Sequence, residues 1–377
     1  MNPTTSILVT GDLVPLHRAG ELLAAGDFET VFGDFLPEIR RSGLAVTNLE
    51  TAVTEGGEPI VKFGPNLKVS PAVLPALTRA GFQVYALANN HSRDWGDEAF
   101  LETMRHVTDT GAQYVGGGKD LEDAMRPCRV TVDGLRITII NATMHQPCCA
   151  AGGHPGATPL VPARIAAQIA AEKNQCDFLL AIIHDGKEHN PFPSARIREN
   201  YRAFADAGAD AVIGHHPHIA QGYETYHNSF IAYSLGNFLF PPRIKEKAQG
   251  FWFRSYSVRL HIAGHRVVKF DILPHTVDRD SDCLSLMKGQ EKQDFLAQLE
   301  KLCNILKSDA ETDRYYTGLA RRALKNYLKR VTEDPAYFAH AMETEEHSDM
   351  IRTALVSKAS DPDYSEPEDL DHFLQNK

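Results

Sequence analysis

The chain has 377 residues, 43% of them apolar, enough to bury a substantial core in one large domain or two. Its formal charge of −10 excludes nucleic-acid binding through neutralised phosphates, because no run of Lys or Arg offsets that balance. The opening MNPTTSILVTGDL lacks a basic segment and an apolar core, and no stretch approaches the roughly 18 apolar residues of a membrane span, so a cytoplasmic location without a membrane anchor is expected.

From residue 6 to about 240, strand-like runs alternate with amphipathic helical segments, the pattern of βαβ units. Five runs end abruptly in residues that bind metal or move protons. SILVT leads to Gly11-Asp12, LAVT to Asn48-Leu49-Glu50, VYALA to Asn89-Asn90-His91, FLLAII to His184, and AVI to Gly214-His215-His216-Pro217-His218. In an open α/β sheet, groups at the carboxyl ends of strands converge on one crevice, which predicts a metal-dependent site.

The intervening helices are predicted around Phe28 to Arg41, Pro71 to Ala80, Glu98 to Thr110 and Ala163 to Asn174, with Ser70 as a cap before Pro71. Gly116-Gly117-Gly118 reads as a turn rather than a phosphate cradle. IAYSLGNFLF, FWFRSYSVRLHI and RVVKFDIL follow as strands, the last two alternating and therefore antiparallel and half exposed. Beyond 280 the apolar spacing becomes helical in DFLAQLEKLCNIL, YYTGLARRALKNYLKRV and DMIRTALVSKA. The expected organisation is a catalytic domain over 1–278, a helical extension over 279–357 and an acidic, loosely ordered tail over 358–377.

Carboxylate, amide and imidazole donors suit Zn, Mn or Fe, whereas thiolate clusters would indicate structural zinc. Two imidazoles spaced as in His216-Pro217-His218 fall on one side of an extended segment and can face one centre or bracket two. His215 reads as a satisfied polar residue. The six cysteines lack paired spacing and are expected to be free thiols, with adjacent Cys148-Cys149 the pair that could bind metal or oxidise.

In order along residues 6 to 240, Asp12, Asn48-Leu49-Glu50, Lys62-Phe63, ANNH with Asp94-Trp95-Gly96, His184 with Gly186 and Glu188, GADAVIGHHPH, Glu224 and YSLGNF resemble the motif series of the poly-γ-glutamate capsule synthesis (CapA) family. That resemblance implies a calcineurin-like metallophosphatase fold, an αββα sandwich of two mixed sheets, here followed by a helical C-terminal extension outside the likeness. It implies Asp12, Glu50, Asn90, His184, His216 and His218 as metal ligands and His91 as an acid or charge stabiliser.

One position departs from the superfamily: where Asp-x-His is common, this chain has Asp12-Leu13-Val14. A centre of Glu50, Asn90, His184 and His216 would be complete, and its neighbour, with Asp12, Glu50 and His218, would lack a ligand. Paired metals about 3.5–4 Å apart serve phosphoester hydrolysis, whereas a single strong metal suits a carbonyl, in amide hydrolysis, ligation or epimerisation of a peptide or γ-glutamyl substrate. A dinuclear phosphoesterase and a non-catalytic accessory protein of capsule synthesis are the rival expectations, and self-association is open. Capsule-linked relatives usually carry a membrane anchor, so its expected absence favours an enzyme away from the surface.

Asp94 and Glu188 lie where carboxylates orient a ligating imidazole, and with His91 they form the candidate catalytic group. Asp185 and His189 replace expected aromatic residues and predict altered selectivity. Lys62 and Arg93 are candidates for a substrate carboxylate, and His145 and His154, in the long loop 143–160, for the pocket wall. Asn237 is expected to brace the site by hydrogen bonding, with Tyr233 and Phe238 in the core.

Overall fold

Alternate residues of single strands bury into two different apolar layers. Ile7 and Val9, on the strand Thr4–Leu13, pack against Leu180 and Ile182 of the strand Phe178–His184, while Leu8 and Leu179 point away into separate clusters. Strands apolar on both faces must be covered on both, and they are: Leu8 joins Leu23, Phe28 and Leu77 from helices on one side, and Leu179 joins Ile165, Ile169 and Phe204 from helices on the other. The result is the αββα sandwich. The computed structural model describes residues 4–62, 64–244, 248 and 250–374, so Phe63 of the Lys62-Phe63 motif lies outside the described residues.

Both sheets are mixed. In the first, Leu284–Leu286, Arg266–Val277, Arg254–Ala263, Thr4–Leu13, Leu44–Leu49, Val84–Ala86 and Gln113–Val115 lie side by side, and Asn237–Leu239 also pairs with Thr4–Leu13. In the second the order is Tyr223–Tyr226, Ser229–Ala232, Ala211–His215, Phe178–His184, Leu135–Thr143 and Cys128–Val132. Parallel strands in each sheet send their carboxyl ends to the same edge.

Several local expectations change. IAYSLGNFLF is two strands in different sheets, Ser229–Ala232 and Asn237–Leu239, joined by a crossing at Gly236, whose φ of 77° suits a residue without Cβ. The run from Phe28 to Arg41 breaks into Phe28–Phe32, Gly33–Phe35 and Leu36–Arg40, because Gly33 (φ 46°) interrupts the helix and Pro37 restarts it. Ser70 does not cap a helix starting at Pro71: the helix begins at Val73, and Ser70-Pro71 form the preceding turn.

Beyond the sandwich lie the helices Gly289–Leu306, Asp309–Glu333, Pro335–Glu343 and Glu345–Ser360. Leu299 packs into the layer between the sheets, and Leu302 joins Tyr315 and Ala354 in a further cluster that also takes in Phe192 from the sandwich. The tail departs from the expected loose order. Leu370 and Phe373 are buried in that same cluster, where their apolar surface offsets the cost of ordering an acidic segment. Among the described residues no helix is long and apolar enough to cross a membrane.

Candidate metal centre

A bulge aims the first acid. Leu8 and Leu13 both face the outer helices although they differ in parity, because the pairing register with Leu44–Leu49 shifts between Thr10 and Asp12. The extra residue turns Asp12 into the layer between the sheets. It has to be glycine, since a Cβ on Gly11 would lie 1.9 Å from the Gly236 carbonyl oxygen. On the other sheet, His184 ends its strand on the inward face shared by Leu180 and Ile182. After Ala211–His215 the chain turns with φ of 96° at His216 and 55° at His218, left-handed conformations that side-chain-bearing residues adopt at a cost and that concentrate at functional sites.

These elements bring Asp12, Glu50, His184, His216 and His218 together, each at most 3% exposed. Single donor atoms of Glu50, His216 and His218 lie within 4.8 Å of one another, as do those of Asp12, Glu50 and His184. His184 Nε2 is 2.9 Å from Asn90 Oδ1 and 3.2 Å from His216 Nδ1. Two nitrogens on one tetrahedral ion, each bound at the usual Zn–N length, would sit roughly 3.3 Å apart. Glu50 Oε1 is 3.5 Å from His184 Nε2 and 3.6 Å from His218 Nε2, between the two groups.

Asparagines hold the donors. Asn48 donates from Nδ2 to Asp12 Oδ1 at 2.8 Å, and Asn89 donates to Asn48 Oδ1 at 3.2 Å. Asn237 Oδ1 meets His218 Nδ1 at 2.9 Å, the bracing role expected of it, and leaves Nε2 turned towards Glu50. His215 instead donates from Nε2 to the Thr10 carbonyl at 3.0 Å, fastening one sheet to the other. Val14 is fully buried in an apolar cluster with Leu67 and Phe240, so position 14 offers the site no donor.

Burial and then the Asp12 charge push the Glu50 carboxyl well above its usual range. Burial also works to raise Asp12, but His215 and His218 hold it below the ordinary carboxylate value. His218 is driven down by burial yet carried up to about 10 by the carboxylates of Glu50 and Asp12. The two acids thus draw positive charge to the space between them. Burial and the nearby Lys62 ammonium bring His91 down to about 4, against the pull of Asp94, so its ring is neutral at pH 7.

Asp94 meets His91 Nδ1 at 2.6 Å and also pairs with Lys62, whose Nζ donates to the Asn90 carbonyl at 3.0 Å. Lys62 is therefore a brace within the site rather than a free cation. Arg93 is spent on Asp97 (2.5 Å) and the Pro147 carbonyl (2.8 Å). His145 is exposed, and only its backbone N–H turns inward, to Glu345 Oε2 at 3.2 Å; His154 is exposed with Asp97 3.9 Å away. The structure does not bring these last three side chains to the donor cluster, because local ion pairing and the outward course of loop 143–160 keep them from it.

Glu188 lies beside the site, where burial would raise it but Lys187, His216 and His218 hold it down to about 2; among the described residues its carboxylate has no imidazole within hydrogen-bond reach. Asp185, a departure from the expected aromatic, accepts two hydrogen bonds from Arg196 at 2.7 and 3.0 Å. Arg196 also reaches Asp349 on the last long helix, so Asp185 serves docking. His189 lies against Phe251 and Trp252. Glu224 pairs with Arg202 and accepts from Tyr233 at 2.6 Å, away from the centre. The six cysteines are free thiols, and Cys148 and Cys149 are buried against Ala88 and Ala157.

Sequence reasoning passed over Asn48 as a brace and Glu346 altogether. Glu346 Oε2 stands 3.4 Å from His216 Nε2 although 130 residues separate them. Its only local signal is an acidic pair opening a helix, which ordinarily complements the helix dipole.

The family model described as bacterial capsule synthesis protein PGA_cap matches residues 6–242. The capsule biosynthesis protein CapA of Bacillus anthracis is 28% identical over 292 residues, 74% of this chain and 69% of the relative. The PGA biosynthesis protein CapA of Bacillus subtilis (strain 168) is 29% identical over 271 residues, 70% and 69% of the two. A probable polyglutamine synthesis accessory protein of Mycobacterium tuberculosis is 28% identical over 226 residues, 56% and 60%. Among solved structures, a 5'-nucleotidase precursor from Thermus thermophilus is similar with a TM-score of 0.42 at 11% identity, covering 81% of this chain and 60% of that one. The family match spans more than half of the chain and takes in every candidate ligand from Asp12 to His218: the chain belongs to the bacterial capsule synthesis protein PGA_cap family.

Proposed function

We propose that the chain is a metal-dependent enzyme of the CapA type that acts at the carbonyl of an amide or peptide-like substrate, γ-glutamyl compounds included. The observation that carries this reading is Glu50: it is fully buried, and among the described residues no donor hydrogen-bonds either carboxylate oxygen. Burial and the Asp12 charge penalise its ionised form, which is why the carboxyl holds its proton well above the usual range. A cation between Glu50 and the facing imidazoles removes the penalty, and the oxygen and nitrogen donor set suits Zn, Mn or Fe. Glu50, Asn90, His184 and His216 would hold it.

Such an ion, when bound, supplies Lewis-acid polarisation of a substrate oxygen. The chain's own groups do the rest. Asp94, accepting from His91 Nδ1, leaves Nε2 with the lone pair that can take a proton from a nucleophile or from the carbon beside the carbonyl. Lys62 fixes Asp94 and the Asn90 backbone together. Glu188 adds negative charge at the same edge of the site.

A phosphoesterase is the second reading, favoured by Glu50 lying between His184 and His218 as a bridging acid would, with Asp12 beside it. An accessory role, as in the name of the mycobacterial relative, is the third. Elemental analysis of purified protein with a screen of γ-glutamyl, peptide and phosphoester compounds separates them. About one ion per chain with turnover of an amide supports the first, two ions with phosphoester turnover the second, and no ion or no turnover the third.

A further inference from the structure

We infer that Glu346, supplied by the C-terminal helical extension, is a positioning residue for His216, which makes the extension a structural part of the centre; this rests on the metal reading above. His216 presents Nδ1 to the donor cluster, 3.2 Å from His184 Nε2, and with Nδ1 on an ion its proton would reside on Nε2. The group facing that nitrogen is Glu346 Oε2 at 3.4 Å. A carboxylate on the outer nitrogen of a ligating imidazole fixes the tautomer, holds the ring plane and raises its basicity. Of the carboxylates expected for that task from the sequence, Asp94 serves His91 instead, at 2.6 Å from its Nδ1.

Glu346 is itself held from several sides. Its Oε1 meets His347 Nε2 at 2.8 Å, its Oε2 meets Lys187 Nζ at 3.2 Å, and the Glu188 backbone N–H donates to it at 3.4 Å. His347 Nδ1 in turn meets the Tyr327 hydroxyl at 2.7 Å. A side chain only 7% exposed with this many partners is set in place, not swinging at the surface. The helix that carries it, Glu345–Ser360, is anchored one turn later by Asp349 on Arg196, and Arg196 grips Asp185, the residue directly after His184. Glu345 reaches the backbone of His145 on the other side. The same helix therefore braces His216 directly and the strand end bearing His184 indirectly.

The test is titration of the metal-free full chain with Zn²⁺ or Mn²⁺ alone, followed by calorimetry, alongside its thermal midpoint. Glu346→Ala is expected to weaken binding about 10- to 100-fold. Glu346→Gln, which keeps an acceptor oxygen, recovers part of that loss, and Asp349→Ala, which loosens the helix without touching Glu346, weakens binding less. Parent-like affinity in Glu346→Ala, or an equal loss in Asp349→Ala, overturns the inference alone. A parent chain that binds no ion overturns it together with the metal reading.

Discussion

The two halves of the donor cluster share Glu50 and otherwise differ in construction. One gathers Asn90, His184 and His216 from both sheets and has an outer carboxylate, Glu346, behind a histidine. The other has Asp12 and His218, steadied by the neutral amides of Asn48 and Asn237 and walled by Val14, Leu67 and Phe240. Four donors with a charged brace against three donors with an apolar wall should give unequal affinities, although the shared acid ties the occupancies together.

The strongest way to break this contrast is Glu50→Gln. It should empty both halves by elemental analysis, since the acid that both share loses its charge; retained metal would contradict the account of Glu50. His216→Ala should abolish tight binding and activity and leave the circular dichroism intact, because His216 stands past a strand end rather than in a core cluster. Retained stoichiometry would assign the stronger ion to the Asp12 half.

Arg196→Ala sharpens the contrast from outside the donors. Asp185, fully buried, loses its bidentate partner, for which about 3 kcal/mol is expected, the low end for breaking a buried pair because Arg196 stays partly exposed. Denaturant unfolding measures it, and a loss below measurement would refute the docking role. The smallest effect is sought in Val14→His, which offers the weaker half a fourth donor. More metal per chain is expected, at a cost of roughly 1–3 kcal/mol for overfilling the Leu67 and Phe240 cluster, and unchanged metal content would exclude Val14 as the cause of the imbalance.

The candidate ligands were legible because each closes an apolar run, and strand ends at one edge of a sandwich meet whatever the loops do. Asp12 was legible for that reason, but the bulge at Gly11 that aims it was not, since register belongs to a strand pair and not to a segment. IAYSLGNFLF looked like one strand because hydrophobicity does not record which sheet a residue joins. Arg93, His145 and His154 drew attention by residue type, and their local partners decided otherwise. Glu346 carried no usable signal: its contact with His216 depends on how the extension docks, through Asp185, Arg196 and Asp349, and no periodicity encodes that.

Asn237 pairs by register with Asp12 in one layer, while its amide oxygen steers His218, which follows a strand of the other. The chain changes layers just before it, and His215 ties the same two layers to each other a few residues away. Any sideways slip between the layers is thereby transmitted to the orientation of an imidazole ring. The sandwich acts as a jig whose alignment is checked at the very spot where the donors gather.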